Sequence, residues 1–204
     1  MKLTKKHLEI LLSKIPFLKY PKIKLEQYPI SAALAARMLW IAHITYDDVR
    51  NKIVLDLGAG SGRLAIGASL LDAEYVIGID IDFDILKLFK DCVDKFELSN
   101  IDIVCSDVGF ISFRKKADTI LQNPPFGVYK PGFDIYFLEN AIRLGKTVYS
   151  IHKLETREYV IDFLKNLNLD TKLLFYDIIE IPPIYPKHRE KWHPVRVFVV
   201  RVST

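Results

Sequence analysis

Ile53-Val-Leu-Asp-Leu-Gly-Ala-Gly-Ser-Gly62 sets the reading of the whole chain. A short, β-branched apolar run predicts a buried strand, and the glycines predict a tight turn opening a helix. That helix carries Leu64, Ala65, Ala68 and Leu71 on its inner side. Downstream the pattern repeats. Tyr75 to Ile79 predicts a strand ending at Asp80, and Ile85, Leu88, Phe89, Cys92, Val93 and Phe96 form a helical stripe. Ile101 to Cys105 predicts a third strand ending at Asp107, and Asp118 to Gln122 a fourth running into Asn123. A helix with Phe137, Leu138, Ala141 and Ile142 follows, then a fifth strand, Thr147 to Ile151, and a helix capped by Thr156. The runs Lys172 to Ile181 and Val195 to Val202 close the chain with no helix between them, which predicts a hairpin. Alternation of this kind implies a mainly parallel seven-stranded sheet with one antiparallel strand and helices on both faces, a Rossmann-like α/β fold.

Upstream, Thr4 predicts the cap of a helix striped by Leu8, Leu11, Leu12 and Ile15; Pro16 and Pro21 break the chain after it. Ser31 predicts the cap of a second helix. Residues 1–50 therefore read as a helical extension and 51–204 as the core of one domain. With 204 residues, half of them apolar, and a net charge of +4, the chain can bury a full core. That charge permits nucleic-acid binding without requiring it. Cys92 and Cys105 lack metal-site spacing and read as reduced core thiols, so a cytoplasmic location and no metal are expected. No apolar run reaches membrane-spanning length.

On such sheets, ligands bind outside the carboxyl ends of the strands, where Asp56, Asp80 and Asp107 fall. Gly58, Gly60, Ser61 and Gly62 would let a ligand approach the backbone closely. The glycines run GxGxG, not the GxGxxG of a pyrophosphate turn, and Asp56 would repel a pyrophosphate. A sulfonium cofactor with a cationic amino-acid portion suits Asp56 better. Asp80 can accept ribose hydroxyls and Asp107 an adenine amino group. Together these features point to S-adenosyl-L-methionine.

The fourth strand ends in Asn123-Pro-Pro-Phe126-Gly127. The prolines stop the ladder, leaving an amide oxygen, backbone carbonyls and an aromatic ring expected to be exposed. Adenine N6 is a weak nucleophile because its lone pair is delocalised into the ring. Accepting its two N–H bonds at Asn123 Oδ1 and the Pro124 carbonyl would favour a pyramidal nitrogen. Phe126 would stack on the base. A duplex buries the target, so the base must be unpaired or flipped.

Here the chain resembles the adenine-N6 methyltransferases of small-subunit ribosomal RNA, the methyltransferase-like protein five family, including archaeal members. Leu25-Glu-Gln-Tyr-Pro29, Thr45-Tyr-Asp-Asp48, Asp56 to Gly62, Gly78-Ile-Asp-Ile-Asp82, Asn100-Ile-Asp102, Asn123 to Gly127, Val148 to Lys153 and Thr156-Arg-Glu158 carry the resemblance. It implies a class I S-adenosylmethionine-dependent methyltransferase fold. It also implies that Gln27 and Tyr28 close over the cofactor held by Asp56, Gly58, Gly60, Ser61, Gly62, Asp80 and Asp107. The residues Asn123, Pro124, Pro125 and Phe126 would be catalytic. Ile30 stands where many eukaryotic relatives have Thr, and Ala59 and Ser61 stand in a loop where they often have Cys. Eukaryotic members pair with a small zinc-binding activator protein, which would sit here on the Ile101 to Cys105 edge strand.

For the RNA itself, His152 and Lys153 are candidates, as is the loop containing Lys187, Arg189, Lys191 and Trp192, with cations for phosphate and a ring for stacking. Rival readings are the same chemistry on guanine N2 or on a protein glutamine, an NAD-dependent oxidoreductase, and a non-enzymatic RNA-binding protein. Asn-Pro-Pro-aromatic serves the first pair equally; the Leu25 to Pro29 and Val148 to Lys153 segments favour adenine. The pair Tyr149 and Lys153 has dehydrogenase spacing, yet on a strand it spans roughly 13 Å. A scaffold would lack cofactor residues, and none is missing.

Overall fold

A computed structural model of the chain describes residues 3–28, 30–181 and 193–204. The strands β1 (Ile53–Leu57), β2 (Tyr75–Asp80), β3 (Ile101–Cys105), β4 (Ala117–Gln122), β5 (Gly145–Lys153), β6 (Asp170–Ile181) and β7 (His193–Ser203) form one sheet in the order β3-β2-β1-β4-β5-β7-β6. All pairs are parallel except those of β7, which runs antiparallel to both β5 and β6. One reversed strand slotted between two parallel ones is the hairpin expected from the missing last helix.

Helices cover both faces. α1 (Lys5–Ser13), α2 (Ala32–Trp40), α3 (Arg63–Leu70) and α4 (Phe83–Lys95) share one core, built on Leu8, Leu12, Leu34, Leu39, Ile66 and Phe89. α5 (Phe133–Leu144) and α6 (Arg157–Asn166) share the other, with Leu55, Ile120, Leu138, Val148 and Leu164. The expected caps form at α1, where the His7 amide donates to Thr4 Oγ1, and at α2, where the Leu34 amide donates to Ser31 Oγ. Thr156 does not cap α6; its hydroxyl donates back to the Lys153 carbonyl. A three-residue helical turn, Leu154–Thr156, lies between β5 and α6 and leaves the carbonyl of Lys153 as the nearer partner.

Two features tie the extension to the sheet. Arg63 is buried at the start of α3, and its guanidinium donates to the carbonyls of Leu12, Ile15 and Ile30 while lying over the Phe17 ring. No carboxylate pairs with it among the described residues, and burial lowers its pKa to about 10. Further on, α2 runs into a wider π-type turn, Ile41–Thr45, that delivers Asp48 to the sheet. There Asp48 accepts from the Tyr149 hydroxyl at 2.7 Å and Arg201 Nε at 2.8 Å. Burial, and then this bond, raise the Tyr149 pKa, so its phenol is held as a structural donor.

Order β3-β2-β1-β4-β5 reverses direction between β1 and β4. A crevice opens there at the strands' carboxyl ends. Asp56 and Asn123 fall on its two sides.

Candidate active site

The crevice is a cavity of about 470 Å³, in the range of small-molecule sites. Asp56, Gly58, Gly60, Ser61, Asp80 and Asp107 line it from the sheet, Gln27 and Tyr28 from the extension, and Asn123 and Pro125 from the end of β4. Residues far apart in sequence thus meet in one place.

The glycine loop is held open by backbone geometry. Gly58, Gly60 and Gly62 all have φ between +56° and +82°. A Cβ on Gly62 would stand 2.0 Å from the Phe89 ring, so only glycine fits. Asp56 Oδ2 accepts the Ala65 amide at 2.9 Å from the first turn of α3; Oδ1 is buried with no partner among the described residues. Burial, against that one bond, raises the Asp56 pKa to about 7. An unpartnered carboxylate oxygen at the base of a cavity fits a cationic group. Asp80 is held by the amides of Gly60 and Asp82 and is likewise raised by desolvation. Asp107 takes two donors on Oδ1, the Gly109 amide at 2.8 Å and the Tyr136 hydroxyl at 2.6 Å.

Gln27 does not enter the cavity freely. Its amide nitrogen donates to Asp82 Oδ2 at 2.7 Å, and its oxygen accepts the Lys22 amide. Lys22 Nζ bridges Asp82 and Asp84. Burial works against ionisation of Asp82, but the bonds from Lys22 and Gln27 outweigh it and hold its pKa low.

At the β4 end, Asn123 Nδ2 donates to the Tyr28 carbonyl at 3.3 Å, and Oδ1 is buried with no partner among the described residues. Asn123 itself lines the cavity, with its donor engaged and its acceptor not. Phe126 is not exposed as the sequence suggested. It is 5% accessible, stacked at 5.7 Å on Tyr28, with Lys153 Nζ 5.6 Å from its ring centre. The extension, folding back over the proline loop, covers it.

Other expectations need correction. His152 is wholly buried, with Nε2 2.7 Å from Ser150 Oγ and its ring beside Phe198, so it presents nothing to RNA at the surface. β5 is an interior strand with α5 over that face, and Asp134 of α5 lies 3.8 Å from His152 Nδ1. Cys105 is exposed, because β3 is the sheet's edge; Cys92 is buried as expected. Lys187, Arg189, Lys191 and Trp192 lie outside the described residues. Sequence reasoning passed over Arg63 and Tyr136. A lone arginine opening an otherwise apolar helix was the available signal for the first; the second had none, because its contact with Asp107 joins elements distant in sequence.

A mainly parallel sheet with a reversed seventh strand, a glycine loop after β1 and acidic residues at successive strand ends define a class I S-adenosylmethionine-dependent methyltransferase. Comparison with known proteins narrows this. Residues 38–123 match the family model for ribosomal protein L11 methyltransferase (PrmA). The chain is 42% identical over 202 residues to rRNA N(6)-adenosine-methyltransferase METTL5 of Danio rerio, covering 97% of this chain and 98% of that one. It is 42% identical over 145 residues to the Drosophila melanogaster protein of the same description, covering 69% of this chain and 68% of that one. A solved structure of a candidate RNA methyltransferase from Pyrococcus horikoshii superposes with a TM-score of 0.90 at 34% identity, covering 100% of this chain and 99% of that one. The chain belongs to the family of rRNA N6-adenosine methyltransferases.

Proposed function

We propose that the protein transfers a methyl group from S-adenosyl-L-methionine to the exocyclic N6 of an adenine in small-subunit ribosomal RNA. The observation that carries this reading is the buried, unpartnered Oδ1 of Asn123 on the wall of a cavity that also holds Asp56 and Asp80. Buried acceptors without donors are rare and costly, so a ligand N–H is the natural partner.

When bound, the cofactor supplies an electrophilic methyl on a sulfonium. Asp56 Oδ1 would receive its ammonium group, Asp80 its ribose hydroxyls and Asp107 its adenine amine, above the loop of Gly58, Gly60, Ser61 and Gly62. Gln27 and Tyr28 would close the site from the extension, residues 1–50. Asn123 Oδ1 and the Pro124 carbonyl would accept the two N–H bonds of adenine N6 and turn its lone pair toward the methyl. The proton leaves after transfer, so the clamp needs acceptors rather than a strong base. Pro125 keeps the loop stiff. Phe126 supports Tyr28 from behind. Lys153 and the Lys187 to Trp192 segment are the candidates for RNA backbone and stacking contacts.

Guanine N2 or a protein glutamine could use the same clamp, and full-length relatives named for rRNA adenine favour adenine. A cytoplasmic location suits an rRNA substrate. The exposed β3 edge suits a small activator protein that would pair with it. Replacing Asn123 by Ala should lower transfer to rRNA by at least about 100-fold, the scale of losing one preorganised polar contact, with cofactor affinity nearly unchanged. Retained transfer would remove Asn123 from the mechanism.

A further inference from the structure

Glu26 has no part in the reading above, yet it lines the same cavity. It is 6% accessible, and its backbone holds a left-handed φ of +49°. That conformation ends the short helical turn Ile23–Leu25. Oε1 accepts the Tyr129 amide at 2.8 Å, joining the extension to the loop that follows Asn123 to Phe126. Oε2 is buried and has no hydrogen-bond partner, and Glu26 forms no ion pair among the described residues. A buried carboxylate oxygen in this state calls for a donor.

The position of Glu26 tells from which side the donor comes. Its own carbonyl accepts the Tyr28 amide, and the Tyr28 carbonyl in turn holds Asn123. Its other contact is Tyr129, just beyond the proline loop. Both bonds tie Glu26 to the stretch from Asn123 to Tyr129, which would hold the target base. An adenosine inside an RNA strand has few donors: two N–H bonds at N6 and the ribose 2′-hydroxyl. The amine is taken by Asn123 and Pro124. On the cofactor side the ammonium, the ribose and the adenine amine each already face a carboxylate, Asp56, Asp80 and Asp107 in turn.

From this balance of donors and acceptors we infer that Glu26 Oε2 accepts a hydrogen bond from the 2′-hydroxyl of the target adenosine, so that this residue selects RNA over DNA. The inference rests on the adenine reading of the site. Glu26→Gln tests it directly. Its amide oxygen can stay on the Tyr129 N–H, while its NH2 can meet the 2′-hydroxyl oxygen only as a neutral donor, so the charge-assisted bond is lost. Steady-state transfer would be measured on an rRNA oligonucleotide that wild-type protein methylates, and on the same strand with 2′-deoxyadenosine at the target.

The variant should lose roughly 10- to 100-fold in kcat/KM on the ribose substrate, the scale of a charged hydrogen bond, with cofactor affinity and Tm held. Wild-type protein should lose a similar factor on the deoxy substrate, and the variant little more on it, since both changes remove the same charge-assisted bond. Unchanged kinetics of Glu26→Gln would overturn the inference. So would fully additive losses, or a loss of cofactor affinity with RNA parameters unmoved, which would hand Glu26 to the cofactor's ammonium. Failure of wild-type protein to methylate adenine in any rRNA substrate would instead sink the adenine reading, and this inference with it.

Discussion

Asp56 shows how one buried carboxyl can report on ligand and pH together. Its pKa stands at about 7, against 3.8 for an exposed aspartate, because burial penalises the charge. A carboxyl raised on folding stabilises the folded form below its unfolded pKa, and that contribution is lost as pH rises through about 7. Without cofactor, Asp56→Asn should therefore gain on wild type in thermal unfolding between pH 5 and pH 8. A constant difference between the two proteins would show that Asp56 does not titrate there. A bound ammonium reverses the balance, favouring the ionised carboxylate. Cofactor affinity should rise with pH across about 6 to 8, with proton release visible when calorimetry is repeated in buffers of different ionisation enthalpy. Asp80 is shifted the same way, also by desolvation. Asp80→Ala should also weaken cofactor binding by at least about tenfold, the loss expected for a charged hydrogen bond. An unchanged dissociation constant would take Asp80 out of the site. These aspartates were legible from sequence because each ends a strand. Phe126 was misread because its cover, the Tyr28 ring, lies almost a hundred residues earlier, and no local pattern reveals such a contact.

Among the elements, the strands and helices of the core were readable because their periodicities are strong: continuous apolar runs for buried parallel strands, three-and-four spacing for α4. Thr156 misled because a helix start satisfied by a preceding turn looks identical in sequence to a capped one. What periodicity could not show was how α1 and α2 reach the cavity. Arg63 answers that. Its three carbonyl partners lie in or near α1 and α2, so the first turn of the helix that closes the glycine loop also clamps the extension. Arg63→Met keeps the volume and deletes the donors, leaving buried carbonyls unpaired. Its cost should be about 3 kcal/mol. For a chain of this size that lowers Tm by roughly 6 to 12 °C. Limited proteolysis should then cut first before Tyr28. Wild-type Tm with an intact extension would show that apolar packing of Leu8 and Leu12 alone holds α1 and α2.

Across the whole molecule, the sheet carries its chemistry at one end and an open edge at one side. β3 presents Cys105 to solvent beside the strand that bears Asp80. A partner on that edge would brace the cofactor side without touching the base side. Alkylation of Cys105 in the isolated protein should be fast, and should slow several-fold in a co-expressed complex. Absence of any complex, with the lone protein stable and fully active, would contradict a partner there. Methyl transfer to rRNA adenine should depend on the amine clamp at Asn123. Its most direct measurement is nucleoside mass spectrometry of small-subunit rRNA from cells lacking the gene, incubated with purified protein and isotopically labelled S-adenosylmethionine. Wild-type protein should give labelled N6-methyladenosine, and Asn123→Ala none above background. Label on guanine or on protein instead, or equal N6-methyladenosine from the Asn123→Ala variant, would contradict this.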